Sequence, residues 1–153
     1  MERKTKNVKH ISATKEKIYK ALTEPEAIEA WMVPNEMTGK IHNFDLRVGG
    51  GYEMSLFYPD SDGKSQGKTN QNEDRYTATF VELKPFDRVV QISIFKSPDP
   101  DFSGEMTMSI NLTAIGNGTE VTIEFENIPA GVSLKDNEDG TASSLEKLAA
   151  YVK

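Results

Sequence analysis

The chain has 153 residues, 18 Lys plus Arg against 24 Asp plus Glu, and a formal net charge of −6. That balance argues against general affinity for nucleic acid or anionic membrane. The absence of cysteine excludes disulfides, thiolate catalysis, iron–sulfur clusters and cysteine-ligated zinc. The length suits one domain spanning residues 1–153, with a core large enough to fold alone. Apolar runs stay well short of the roughly 20 residues a membrane helix needs, and the polar, basic start lacks the apolar stretch of a signal peptide, so a cytoplasmic location is expected.

Val8, His10 and Ser12 alternate with Lys9, Ile11 and Ala13 in a short edge strand. Thr14 is placed to cap a short helix whose Ile18, Ala21 and Leu22 share one face. Thr23 and Glu26 have capping-box spacing around Pro25 for a second helix with Ala27, Ile28 and Trp31 inward, ending at Pro34. From Ile41 the period becomes two. Ile41–Leu46 reads as a strand, Val48-Gly49-Gly50-Gly51 as a hairpin turn, and Tyr52, Met54, Leu56 and Tyr58 as one face of the returning strand.

Pro59–Glu73 carries almost nothing apolar and reads as a loop or hairpin tip. Tyr76, Ala78 and Phe80 then alternate up to Pro85, and Arg88–Phe95 follows as a second central strand. Strict alternation resumes at Met106, Met108, Ile110, Leu112 and Ala114, and Gly116-Asn117-Gly118 turns the chain into a strand with Val121, Ile123 and Phe125 on one side. Ile128–Gly140 reads as a loop whose acidic run suits the N-terminus of a last helix. That helix would bury Leu145, Leu148, Ala149 and Val152, with Ser144, Glu146 and Lys147 opposite. The order is β-α-α, about six strands, then a long helix, an α+β class. A meander with one face to cover and one long helix to cover it implies a curved sheet with space beneath the helix.

His10 and His42 lie far apart in sequence without metal-binding or triad-like neighbours, so no metal, cofactor or catalytic group is expected. The three glycines lead into a strand rather than the helix that a phosphate loop needs. Glu53, Glu124 and Glu126 fall opposite the apolar face, whereas Glu82 shares the parity of Tyr76, Ala78 and Phe80 and is the carboxylate placed nearest a pocket rim. Trp31, Tyr52, Met54, Tyr76, Phe80, Met106, Met108, Leu145 and Leu148 are the residues expected around an apolar cavity, although each would also serve as core. Met32 and Met37 would form a flexible lip.

Ile11-Ser12-Ala13-Thr14, Ile18 through Glu26, Trp31-Met32-Val33-Pro34, Phe44 through Gly50, Val121-Thr122-Ile123 and Ser144 through Leu148 form an ordered set along nearly the whole chain. In that order they resemble the activator of heat shock protein 90 ATPase homologue family of the START-like, SRPBCC superfamily. The resemblance implies a helix-grip fold, in which a curved antiparallel sheet wraps a long C-terminal helix around a hydrophobic cavity. It also implies a small hydrophobic or amphipathic ligand. A chaperone ATPase is the alternative partner, and a polyketide cyclase-like or hydrolase-like enzyme the second alternative. Two positions depart from the pattern: Trp31-Met32 stands where the family commonly has Trp-Trp, and Gly140-Thr141 where it commonly has Gly-Trp. No nucleic-acid or membrane partner is expected, and an unpaired first-strand edge would permit a homodimer as well as a monomer.

Overall fold

The computed structural model describes residues 3–33, 36–58 and 73–153. In chain order they form β1 (Thr5–Ile11), α1 (Lys15–Thr23), α2 (Pro25–Trp31), β2 (Thr38–His42), β3 (Gly51–Phe57), β4 (Glu73–Lys84), β5 (Arg88–Phe95), β6 (Met106–Ile115), β7 (Gly118–Glu126) and α3 (Leu134–Tyr151), with a 3-10 turn at Pro100–Phe102. All strand pairs are antiparallel, in the order β1-β7-β6-β5-β4-β3-β2. The fold is the expected α+β helix-grip arrangement, an open curved sheet against a C-terminal helix.

Local chemistry explains the helix starts. Thr14 Oγ1 accepts from Lys17 N at 3.1 Å and so satisfies one of the free amides of α1. The capping box expected from Thr23 and Glu26 does not form. Thr23 still belongs to α1, its hydroxyl donates back to Tyr19 O at 2.9 Å, and Glu24 occupies the cap of α2 without a side-chain bond. The helix α2 stops at Trp31, and Pro34, expected to end it, lies outside the described residues.

Strand β2 ends at His42 rather than running to Leu46, because Asn43 turns to φ +54° and leaves the extended region. The connection to β3 is therefore longer than a tight hairpin and is closed by Asp45 N donating to Gly51 O at 2.8 Å. Glycine is required at its end. A Cβ on Gly51 would sit 1.9 Å from Ala78 O on the neighbouring strand. Of the expected loop Pro59–Glu73, residues 59–72 lie outside the described residues and Glu73 already opens β4.

The last helix begins earlier than its sequence suggests. It starts at Leu134, with Ser133 Oγ accepting from Asp136 N at 3.2 Å, so Asp136, Glu138, Asp139 and Gly140 lie within α3 and not in a loop. Bonds from β1 hold this end: Thr5 Oγ1 bonds Asn137 Oδ1, and Asn7 Nδ2 donates to Glu138 O at 3.2 Å. Further along, Ser144 is buried instead of facing out, and half-buried Lys147 donates to Val33 O at 2.6 Å, fastening α3 to the end of α2.

The β4–β5 turn carries an unusual residue. Asp87 N donates to Lys84 O at 3.0 Å across Pro85 and Phe86, and Phe86 takes φ +70°, where glycine is preferred. The Phe86 ring meets Tyr19 of α1 edge-on at 5.8 Å, and Lys15 bonds Asp87, so the strained turn anchors α1. Strain and contact each amount to about 1 kcal/mol. Phe86→Gly should therefore leave stability within about 1 kcal/mol of wild type, and Phe86→Ala, which keeps the strain and loses the ring, should be the less stable of the two. Urea denaturation of the pair checks this order.

Candidate functional site

Sheet register determines what the inner face presents. Tyr52, Ala78, Ser93 and Met106 lie side by side across β3, β4, β5 and β6, and the next row holds Phe80, Gln91, Met108 and Phe125. Ala78 and Ser93 are small, so the floor dips between larger neighbours. Helix α3 faces that dip with Gly140, Thr141 and Ser144, which are also small and buried. Bulk is missing from both sides at once, and a cavity of about 590 Å³ remains between sheet and helix.

Its walls come from several elements. Trp31, Met32 and Met37 close one side, Leu56, Tyr58, Asp74 and Tyr76 a second, and Phe95, Met106, Met108, Ile123 and Phe125 extend the sheet wall. Val132, Asp136, Asn137 and Asp139 of the α3 entry complete the rim. A chain of ring contacts runs Phe44, Tyr52, Tyr76, Phe95, Phe102 at centroid separations of 5.8 to 6.4 Å and stiffens this wall. Gly131 N donates to Asp101 O at 2.7 Å, joining the 3-10 turn to the segment that leads into α3.

Of the residues expected around the cavity, the structure brings Trp31, Tyr76, Met106 and Met108 together on its wall. Tyr52, Met54, Phe80, Leu145 and Leu148 are buried in the core but do not line it. They belong to the buried core cluster that also holds Trp31, Tyr76 and Met108. Met32 and Met37 are half-buried and line the cavity, as a lip would.

The polar members were missed. Gln91 and Ser93 share the parity of inward Val89 on β5, and a polar residue at an inward strand position was their signal. Asp74 lies two residues before Tyr76, hence on the same face, and Tyr58 Oη donates to its Oδ2 at 2.9 Å. Gln91 Nε2 donates to Tyr52 Oη at 3.0 Å, and the Tyr52 and Tyr76 hydroxyls lie 3.6 and 4.0 Å from Met32 Sδ. Burial pushes the Tyr52 phenol up to about 12, against the hydrogen bonds of Gln91 and Tyr76. It is a neutral group throughout the physiological range.

Glu82, placed near a rim by parity, is exposed and pairs with Arg88 Nε at 3.0 Å. The register shift between Phe80 and Glu82 turns Leu83 inward in its place, because a bulge inverts parity downstream. On the outer face, the hydrogen-bonded Lys96 ammonium, with Arg75 beside it, holds the Glu53 carboxyl below its ordinary range. His42 Nε2 lies 3.1 Å from Ser55 Oγ on that face, and His10 contacts Ile115 O at 3.1 Å. Among the described residues no three His, Cys, Asp or Glu side chains come together to hold a metal ion, and no helix is long and apolar enough to cross a membrane.

Comparison with known proteins is consistent with this architecture. A Chromobacterium violaceum protein superposes with a TM-score of 0.85 at 27% identity, covering 98% of this chain and 96% of its own. A Nitrosomonas europaea protein gives 0.72 at 21% identity, with 96% and 92% covered. DynU16, a protein of the dynemicin biosynthetic locus, shares the fold at a TM-score of 0.68 and 16% identity, with 98% of this chain and 47% of that one covered. No curated protein matches the chain. The family pattern described as Activator of Hsp90 ATPase homolog 1-like protein matches residues 12–153, and the chain belongs to that family.

Proposed function

We propose that this protein binds a small hydrophobic or amphipathic molecule in the cavity between the sheet and α3, without transforming it. The observation that carries the reading is the cavity itself, about 590 Å³ within the 300–1,000 Å³ range of small-molecule sites, with five aromatic and four methionine side chains in its wall. Thioethers adapt to varied apolar shapes, and Met32, Met37, Met106 and Met108 all line the space. Native mass spectrometry with N-phenyl-1-naphthylamine, a neutral apolar probe, tests this. A one-to-one adduct is expected, with a rise and blue shift of probe emission in solution. Absence of both would overturn the reading.

A chaperone ATPase as partner is the second reading, supported by the description of the family to which the chain belongs. It predicts a change in Hsp90 ATPase rate when the protein is added, and an unchanged rate would remove it.

A further inference from the structure

We infer that the cavity takes an uncharged, oxygen-bearing apolar molecule, such as an alcohol or ketone, whose oxygen docks against Ser93 and Gln91. This rests on the proposed ligand-binding role and names the chemistry of its ligand. Gln91 and Ser93 are 2% and 4% exposed on the inner face of a central strand, both on the cavity wall. Gln91 is tied to Tyr52, but among the described residues the Ser93 hydroxyl has no hydrogen-bond partner. Ser144, buried on the α3 side of the same cavity, is in the same position.

Buried hydroxyls that face a ligand cavity favour a ligand that bonds to them. A pure hydrocarbon would seal Ser93 from water without replacing its bond, and that desolvation weakens binding. A carboxylate fares worse. The charged side chains of the wall, among the described residues, are Asp74, Asp136 and Asp139, all acidic, and the groups on the floor are neutral. An anion would lose its hydration and meet like charge. A neutral oxygen accepts from Ser93 Oγ or Gln91 Nε2 and leaves its hydrocarbon body against Met106, Met108 and Trp31.

Three ligands with one skeleton separate the possibilities: 4-phenyl-1-butanol, 4-phenylbutanoate and butylbenzene, titrated at neutral pH while Trp31, the chain's single tryptophan and part of the wall, reports occupancy by its emission. The alcohol should bind about three- to tenfold tighter than the hydrocarbon, the range of one neutral hydrogen bond, and at least about tenfold tighter than the carboxylate. Ser93→Ala and Gln91→Leu should each erase most of the preference for alcohol over hydrocarbon. Ser93→Ala removes a hydroxyl without an internal partner, so it remains informative if Gln91→Leu fails to fold. Equal binding of alcohol and hydrocarbon, or tightest binding of the carboxylate, overturns the inference and leaves the cavity as a binding site. No response to any of the three overturns both.

Discussion

Thr141→Trp should abolish most binding of N-phenyl-1-naphthylamine while the protein stays folded. Thr141 is buried on α3 and lines the cavity, and its hydroxyl donates to Asn137 O of its own helix at 2.7 Å. An indole there enters empty space rather than packed core. Overpacking a filled core costs about 1–3 kcal/mol, but a side chain that occupies a void regains dispersion contacts the void lacked. Stability should therefore stay within about 1 kcal/mol of wild type. Binding should fall by about 10- to 100-fold, the effect of about 1–3 kcal/mol of misfit between probe and indole. Thr113→Trp, at an exposed position on β6, is the control and should bind the probe as wild type does. A Thr141→Trp protein that unfolds would mean that the space is not empty, and one that binds normally would mean that the probe sits elsewhere.

Trp31→Ala should be the most destabilising of the substitutions considered, by about 3–5 kcal/mol. Trp31 is 1% exposed at the end of α2, and its Nε1 donates to Ala21 O at 2.8 Å. That bond has a local cause. In a continuing helix Ala21 O would accept from the amide four residues on, but that residue is Pro25, which has no N–H. The indole supplies the missing donor and so joins α2 to α1. Trp31→Phe keeps most of the packing and leaves the carbonyl unsatisfied, a loss of about 1–3 kcal/mol. Urea denaturation followed by circular dichroism should rank wild type above Trp31→Phe above Trp31→Ala. A loss under about 1 kcal/mol for Trp31→Ala would show that the residue is not integral to the core.

Much of this architecture is legible where a local rule meets no competitor. Val121, Ile123 and Phe125 alternate on a half-buried strand, and Thr14 caps α1 through its own hydroxyl. Where tertiary contacts compete, local reading fails. The stretch Asp136 to Gly140 looks like a loop, yet bonds from Thr5 and Asn7 hold it helical. Asn43 ends β2 by adopting a positive φ that its own sequence does not announce, and the bulge after Phe80 sends Glu82 to solvent.

The cavity shows the same division. Strand parity identifies the inner face of the sheet, and with it Tyr76, Met106 and Met108, while helical spacing turns Trp31 inward. Neither period carries information on depth, so Tyr52, Met54, Phe80, Leu145 and Leu148 could not be told from wall residues, although they are buried in the core without lining the cavity. The two positions where the chain departs from the expected aromatic pattern, Met32 and Thr141, both line the cavity. Less aromatic bulk there coincides with open space.

The most direct test is a methyl NMR titration of methionine-labelled protein with N-phenyl-1-naphthylamine. Met32, Met37, Met106 and Met108 line the cavity, whereas Met54 is fully buried outside it. Ligand binding in the cavity predicts saturable shifts of those four methyl signals, with Met54 moving least among the five. Shifts confined to Met54, or none at saturating probe, would contradict it.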